Sequence, residues 1–221
     1  LLRTVFAETE RVPDLIADPR IRVVSLTGST AAGRKVGALA GAALKPCVFE
    51  LGGSDPYLVL ADADLAHAAR TCATARLING GQSCISAKRI IVVDAVRAEF
   101  ETLLTAEIAR RRVGPPTDPT TDVGPLARAD LRTTLHRQVQ ASVKAGARLL
   151  LGGTVPKGPG FYYPCTVLAD VRTGMPAYGD ELFGPVAAIL PARDEAEALA
   201  IANDSPYGLG AAVFTRNRRR G

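Results

Sequence analysis

The chain has 221 residues, 47% of them hydrophobic and 22% charged, which is the balance of a globular protein and argues against a disordered chain. Its net charge is +5, and four arginines among the last six residues supply most of that charge, so no nucleic-acid partner is expected. No apolar stretch approaches the ~20 residues that cross a bilayer and no export signal is visible, so we expect no membrane partner either.

The predicted elements alternate between strands and helices, which is typical of an α/β fold. Strands are predicted at 21–26, 47–51, 57–60, 88–93, 148–151, 165–168, 186–190 and 210–214. Helices are predicted at 31–44, from Asp62 or Asp64 to about Asn79, and at 97–112, 128–145 and 194–202. The first two strands flank a helix, so they predict a βαβ unit with parallel strands. Two segments rich in Pro or Gly, 114–125 and 173–185, are predicted loops.

The turn Thr27-Gly28-Ser29-Thr30 joins the first strand to the first helix. Free N–H groups at a helix start attract anions, and Gly28 permits the close approach of a phosphate or pyrophosphate. Gly-x-Gly-x-x-Gly is absent, and the Lys-Ser/Thr pair of a P-loop does not follow. The alternative is a helix capped by Ser29 without any ligand.

Glu50 ends the second strand and precedes Gly52-Gly53. Active sites of parallel sheets lie at the carboxyl ends of strands, so this carboxylate is a candidate general base. The alternative is a glutamate paired for structural reasons.

Cys84 lies in the Gly-rich loop Gly80-Gly81-Gln82-Ser83-Cys84, where a ligand can approach and backbone amides can stabilise an oxyanion. The alternative is a buried, inert thiol, which is the expectation for Cys47, Cys72 and Cys165. The cysteines are scattered and only two histidines exist, so we expect no metal site, reduced thiols and a cytoplasmic location.

The segment Glu181-Leu182-Phe183-Gly184-Pro185 stands in the second loop region. The Glu181 carboxylate can accept from ribose hydroxyls, and the Phe183 ring can contact a flat heterocycle. The alternative is a rigid turn with a surface glutamate.

Five strings in one order carry a resemblance that no single site carries. They are SLTGST (25–30), FELGGSDP (49–56), GQSC (81–84), ELFGP (181–185) and NDSPYGL (203–209). Together they resemble the aldehyde dehydrogenase superfamily. Within it, residues 44–56 are most similar to bacterial succinate-semialdehyde dehydrogenases.

The resemblance implies an aldehyde dehydrogenase-like fold, in which the end of a Rossmann-type cofactor domain precedes an α/β catalytic domain. It implies that residues 1–53 are the C-terminal part of the NAD(P)-binding domain. Residues 54–221 would be a catalytic domain truncated at its C-terminus. The Asn that completes the family's oxyanion hole, and the residues that separate NAD from NADP, would lie upstream.

The resemblance also implies a role for each site residue. Cys84 would attack the aldehyde, a small molecule such as succinate semialdehyde, and give a thiohemiacetal and then a thioester. Glu50 would activate the water that releases the acid, and the Cys84 N–H would form half of the oxyanion hole. The cofactor, NAD or NADP, would contact five residues, namely Gly28, Ser29, Leu51, Glu181 and Phe183.

Two further expectations follow from the resemblance. The full-length protein would be a homo-oligomer, whereas this polypeptide alone would have little or no activity. The competing hypothesis is a truncated, inactive relative that acts at most as a binding or oligomerisation module. Some semialdehyde dehydrogenases place an Arg before the cysteine loop to bind a substrate carboxylate. Here Ile78 stands there, with Arg76 two residues earlier.

Overall fold

The structure is a computed structural model that describes residues 2–221. The chain folds into two compact units, a smaller unit that ends at Gly52 and a larger unit that spans Gly53–Gly221. No helix within the described residues is long and apolar enough to cross a membrane.

The smaller unit is a βαβ unit preceded by a short helical segment. Its elements are a 3-10 turn (Thr9–Arg11), α1 (Val12–Ala17), β1 (Val24–Thr27), α2 (Thr30–Ala42) and β2 (Cys47–Glu50). The strands pair in parallel, with Val24 opposite Cys47, which confirms the predicted βαβ unit. Its buried core consists of Ile16, Val36 and Ala40. This core is small, so most of the unit's apolar side chains are only partly covered.

The larger unit is built on a six-stranded sheet. Its elements are β3 (Asp55–Val59), α3 (Leu65–Leu77), a 3-10 turn (Ile78–Gly81), β4 (Ala87–Val93), α4 (Asp94–Ala109), α5 (Ala129–Lys144), β5 (Arg148–Leu151), β6 (Thr166–Ala169), α6 (Pro176–Gly179), β7 (Val186–Ala192), α7 (Glu195–Asn203) and β8 (Ala212–Phe214). The strand order is β5-β6-β7-β4-β3-β8, and only β5 runs antiparallel to its neighbour.

The strands β4, β6 and β7 of this sheet are buried on both faces, as expected for parallel strands covered by helices. Alternate residues of β4 point to opposite faces. Ile91 and Val93 enter one apolar cluster, whereas Ile90 and Val92 enter the other. The α/β class and the strand order along the chain therefore agree with the prediction.

The Asp64 carboxylate, one of the two predicted candidates, caps α3 by accepting from the His67 N–H. Two details differ from the predicted elements. The helix ends at Leu77, because Asn79 and Gly80 adopt left-handed conformations with φ of 52° and 64°. The short helix α6, which begins at a proline, lies inside a segment predicted as a loop.

Candidate functional site

Three loops of the larger unit meet at one edge of its sheet. They are residues 53–54 before β3, residues 82–86 before β4 and residues 180–185 before β7. The three strands are adjacent and parallel, so their amino ends lie together. This edge brings Cys84 and Glu181, two of the predicted site residues, into one neighbourhood.

A buried lysine joins these loops. The Lys88 side chain is 1% exposed, and its Nζ donates to the carbonyl oxygens of Ser83 at 2.7 Å and Cys84 at 2.9 Å. The same Nζ lies 3.3 Å from Oε1 of Glu181. That oxygen also accepts from the Gly53 N–H at 3.1 Å. One ammonium group therefore contacts the cysteine loop and the Glu181 carboxylate at once.

Arg76 also binds the cysteine loop and the loop before β7 through hydrogen bonds. Its guanidinium is fully buried and donates to Ser86 Oγ at 2.8 Å, Gly81 O at 2.9 Å and Leu182 O at 2.8 Å, and also to Gly184 O. Burial lowers the pKa of Arg76, while Glu181 opposes that shift. Burial also lowers the pKa of Lys88, and the nearby Arg76 charge adds to the effect. Because Arg76 is buried and bonded to protein oxygens, it is not a free cation for a substrate.

Two glycines let these loops approach one another. A Cβ on Gly53 would overlap the Cys84 carbonyl oxygen. A Cβ on Gly81 would overlap the Gly184 carbonyl oxygen, and Gly81 also has a φ of +74°. Only glycine satisfies both demands at position 81 without strain. The cysteine loop is therefore held in place by backbone contacts as well as by Lys88 and Arg76.

Cys84 is partly exposed, so it is not a buried cysteine. The N–H groups of Cys84 and Ile85 have no acceptor within residues 53–221. In a trans peptide the C=O and N–H point in opposite directions. Lys88 donates to the Ser83 and Cys84 carbonyl oxygens, so the next two N–H groups point away from its ammonium group.

The other cysteines divide into two groups. Cys72 and Cys165 are buried as predicted, and burial raises their pKa values to about 12 and about 11 respectively. Cys47 is only partly buried, so the expectation of a buried thiol was wrong there. The physical reason is that a two-stranded sheet leaves much of the strand β2 uncovered.

The smaller unit holds the remaining predicted residues. Ser29 Oγ accepts from the Ala32 N–H at 3.2 Å, so this serine does cap α2, and Gly28 and Ser29 are both exposed. Glu50 is exposed at the end of β2, and within the described part of its unit no cation pairs with it. Leu51 is partly buried. A Cβ added to Gly33 would come within 2.7 Å of the Leu51 Cδ2 atom.

Glu181 and Phe183 are both partly buried in the larger unit. Because the Glu181 carboxylate is paired with Lys88, it is not the surface glutamate of a simple turn. Sequence reasoning missed the roles of Lys88 and Arg76. For Lys88 the available signal was the Lys88-Arg89 pair opening an otherwise apolar strand, because buried cations require partners. Within the described residues no cluster of three or more His, Cys, Asp or Glu side chains could hold a metal ion.

The fold and the loops define a chain of one enzyme family. Residues 2–221 match the model of the aldehyde dehydrogenase family. The chain belongs to that family, as its sequence strings predicted.

Several relatives are more specific. The chain is 49% identical over 209 residues to the succinate semialdehyde dehydrogenase Sad of Escherichia coli K12, named for NAD(P)+, and covers 45% of it with 95% of its own length. It is 46% identical over 215 residues to the NADP+ succinate-semialdehyde dehydrogenase of Mycobacterium leprae, covering 47% of that protein with 97% of its own length.

A solved succinic semialdehyde dehydrogenase from Streptococcus pyogenes, in complex with NADP+, has a TM-score of 0.94 and 37% identity, over 98% of this chain and 48% of that one. An aldehyde dehydrogenase from Mycobacterium tuberculosis in complex with NAD+ has a TM-score of 0.90 and 40% identity, over 94% and 43%. The chain therefore spans about half the length of the proteins it matches.

Proposed function

We propose that this chain carries the nucleophile, the hydrolytic base and part of the cofactor site of an NAD(P)-dependent aldehyde dehydrogenase. The observation that supports this most is the partly exposed Cys84 together with the N–H groups of Cys84 and Ile85, which have no acceptor within residues 53–221. Such an arrangement suits a thiol that attacks a carbonyl and backbone donors that receive the oxygen.

The proposed domain roles follow the division of the chain. Residues 1–53 would contribute the end of the cofactor domain, and residues 54–221 would form the catalytic domain. The break between the compact units at Gly52 and Gly53 supports this proposal.

In the proposed first half-reaction, the Cys84 thiol gives its proton to water, its sulfur forms a bond to the aldehyde carbon, and the carbonyl π electrons move to oxygen. The Cys84 N–H donates to this oxyanion. As the C=O double bond reforms, the aldehyde hydrogen leaves with its electron pair. Acceptance of this hydride is the chemistry that a bound NAD(P) would supply. The acyl group remains on Cys84 as a thioester.

In the second half-reaction, the Glu50 carboxylate takes a proton from water as the water oxygen bonds to the thioester carbon. The C–S bond then breaks, the acid leaves, and the Cys84 sulfur retains the electron pair. The exposure of Glu50 supports access by water. A carboxylate suits this role because water needs a base of moderate strength at neutral pH.

The residues present fit a dinucleotide cofactor in two places. Oε1 of Glu181 is engaged by Gly53 and Lys88, while Oε2 has no hydrogen-bond donor within residues 53–221, so it is available to ribose hydroxyls. Phe183 stands two residues further on. In the smaller unit, Gly28 and Ser29 begin α2, where exposed N–H groups favour a pyrophosphate. Leu51 would contact the nicotinamide through its backbone.

For the substrate we propose a semialdehyde such as succinate semialdehyde, on the strength of the relatives' names. Arg76 is not the cation for its carboxylate, because the guanidinium is buried and bonded to the protein. A comparison of kcat/KM for succinate semialdehyde and for the uncharged butanal tests this directly. It is made on the chain joined to the flanking segments of a relative. Equal kcat/KM for the two would remove the semialdehyde proposal and leave the aldehyde chemistry intact.

The nucleophile is tested on residues 1–221 themselves with iodoacetamide and peptide mass spectrometry. We expect Cys84 to be alkylated first and Cys72 and Cys165 only on unfolding, because burial keeps those two thiols protonated. Cys47 is the matched control, since it is also partly exposed. Equal rates at Cys47 and Cys84 would count against a specially presented nucleophile.

Turnover is tested on the chain joined to the flanking segments of a relative, with residues 1–221 alone in parallel. Glu50→Gln should allow one equivalent of reduced cofactor to form in a burst and then stop, because only thioester hydrolysis needs the base. Loss of the burst itself would place Glu50 in the first half-reaction instead. Residues 1–221 alone should show little or no turnover. Turnover equal to that of the joined protein would contradict this.

A further inference from the structure

The buried lysine beside the cysteine loop has no role in the chemistry proposed above. Lys88 is 1% exposed, and burial of an ammonium group is costly unless its hydrogens find acceptors. Three oxygens surround it, from Ser83, Cys84 and Glu181. Arg76 is the other buried cation beside these loops. It donates to the Ser86 hydroxyl and to three carbonyl oxygens, those of Gly81, Leu182 and Gly184, but to neither Ser83 nor Cys84.

The Ser83 oxygen belongs to the same peptide group as the Cys84 N–H. In a trans peptide these two groups point in opposite directions, and the unit is rigid. Holding the oxygen on Lys88 therefore sets the direction of the N–H. The Ser86 hydroxyl donates to the same oxygen at 3.0 Å and the Ser86 N–H at 3.3 Å, so three donors, of which only Lys88 is charged, hold this peptide.

A charged donor on a peptide oxygen also draws electron density from the N–H at the other end. Hydrogen bonds in a chain strengthen one another in this way, and those made by ionised groups are the stronger ones. The Cys84 N–H, with no acceptor in residues 53–221, is thus prepared to donate to an incoming anion.

We propose that Lys88 is a positioning residue that orients and polarises the Ser83–Cys84 peptide toward the carbonyl oxygen of the substrate, and that ties this peptide to Glu181. The idea that an oxyanion is received there rests on the proposed function. The orientation of the peptide by Lys88 does not. Lys88 itself touches neither the substrate nor the reacting atoms.

One labelling scheme isolates this peptide. Ser83-Cys84 is the only Ser-Cys step in the sequence. A sample with carbonyl-¹³C serine and ¹⁵N cysteine gives a single carbonyl–amide correlation by NMR. We expect Lys88→Met to move the carbonyl carbon to lower frequency, because its oxygen loses a charged donor. The amide proton should move upfield, because the peptide is then less polarised. Lys88→Arg should restore part of the shift.

Arg89→Met is the matched control. Arg89 is also 1% exposed and comes from the same strand, but it donates to Ser54, Ile201 and Ala202. This variant reports general loss of a buried cation. An unchanged Ser83–Cys84 correlation in Lys88→Met, or an equal change in Arg89→Met, would overturn the proposal. Should Lys88→Met fail to fold, Lys88→Gln and Lys88→Arg supply the same comparison.

Kinetics of the joined protein then separate the two proposals. Lys88→Met should lower kcat for aldehyde oxidation by about tenfold or more with little change in KM, because a misdirected oxyanion donor weakens mainly the transition state. If the parent protein oxidises no aldehyde while the NMR shift is present, the proposed function fails and the role of Lys88 in the peptide stands. If the parent is active and Lys88→Met keeps both kcat and the NMR signal, the inference about Lys88 fails alone.

Discussion

The two compact units differ in the size of the sheet and of the buried apolar core that each has of its own. The larger unit has a six-stranded sheet, in which β4, β6 and β7 are buried on both faces, and two apolar clusters. The smaller unit has a two-stranded sheet and three buried core residues. A sheet of two strands is marginal by itself. The cysteine loop therefore rests on the well-packed unit, whereas Glu50 and the start of α2 belong to the weakly packed one.

The largest expected effect is that the smaller unit unfolds first in urea. All five tyrosines lie in the larger unit, whereas Cys47 is the only cysteine of the smaller one. Tyrosine fluorescence and Cys47 alkylation therefore report the two units separately. Cys47 should reach its unfolded alkylation rate at a lower urea concentration than the fluorescence midpoint. Coincident transitions would mean that the units unfold as one and would remove the comparison.

A second test sharpens the picture of the larger unit. Gly81→Ala should lower its free energy of unfolding by roughly 3 kcal/mol, because the new Cβ meets the Gly184 carbonyl and the residue has a left-handed φ. Gly158→Ala is the control, since its φ is +112° but nothing lies within 4 Å of the added atom. Urea midpoints by fluorescence measure both. Equal losses would attribute the effect to backbone strain alone.

Alkaline pH gives a third, smaller effect that also belongs to the larger unit. Burial raises the pKa values of Cys72 and Cys165, so above about pH 9 the unfolded chain releases thiol protons that the folded chain keeps. Stability is therefore present at lower pH and falls as pH rises toward 11. By pH 11 the raised pKa of each thiol has lowered the free energy of unfolding by on the order of 2 kcal/mol.

Cys72→Ala should make the pH dependence of the urea midpoint less steep between pH 9 and pH 11. Cys47→Ala serves as the control, because Cys47 lies in the smaller unit and is partly exposed. A profile that is unchanged in Cys72→Ala would assign the alkaline loss to other groups, with Tyr163, whose pKa burial raises to about 12, the first to examine.

The smallest expected effect is a gain in the smaller unit. Gly41 lies in α2, and an added Cβ would meet nothing within 4 Å. Gly41→Ala should therefore stabilise this unit by up to about 1 kcal/mol, because alanine loses less backbone entropy in a helix. Cys47 alkylation in urea measures the shift, and the fluorescence midpoint should not move. A loss of stability would show that the helix has a neighbour at Gly41.

Most of the fold was predictable because local patterns and packing agree. Residues 90–93 of β4 are an apolar run in a strand that is buried throughout, and the Asp64 cap is a simple local signal. The short helix α6 was not predictable from propensity, since its four residues include a proline and a glycine.

Parts of the site were predictable and parts were not. Cys84 stands in a glycine-rich loop and is partly exposed, as a nucleophile requires. The partners of Lys88 and Arg76 were not predictable from local patterns, because they lie up to 108 residues away in sequence. Sequence reasoning also treated Cys47 as buried, since a strand residue is covered only if its sheet has enough neighbours.

The Arg76 guanidinium joins two segments that are remote in sequence, and this limits how the protein can be re-engineered. Arg76 donates to carbonyl oxygens in both segments, 80–86 and 181–185. A segment exchange that replaces only residues 80–86 would change the position of one set of acceptors relative to the other. Lysine cannot replace it, because a single ammonium cannot reproduce the planar fork of donors. Chimeras between relatives are therefore best built by transferring both segments and their arginine together.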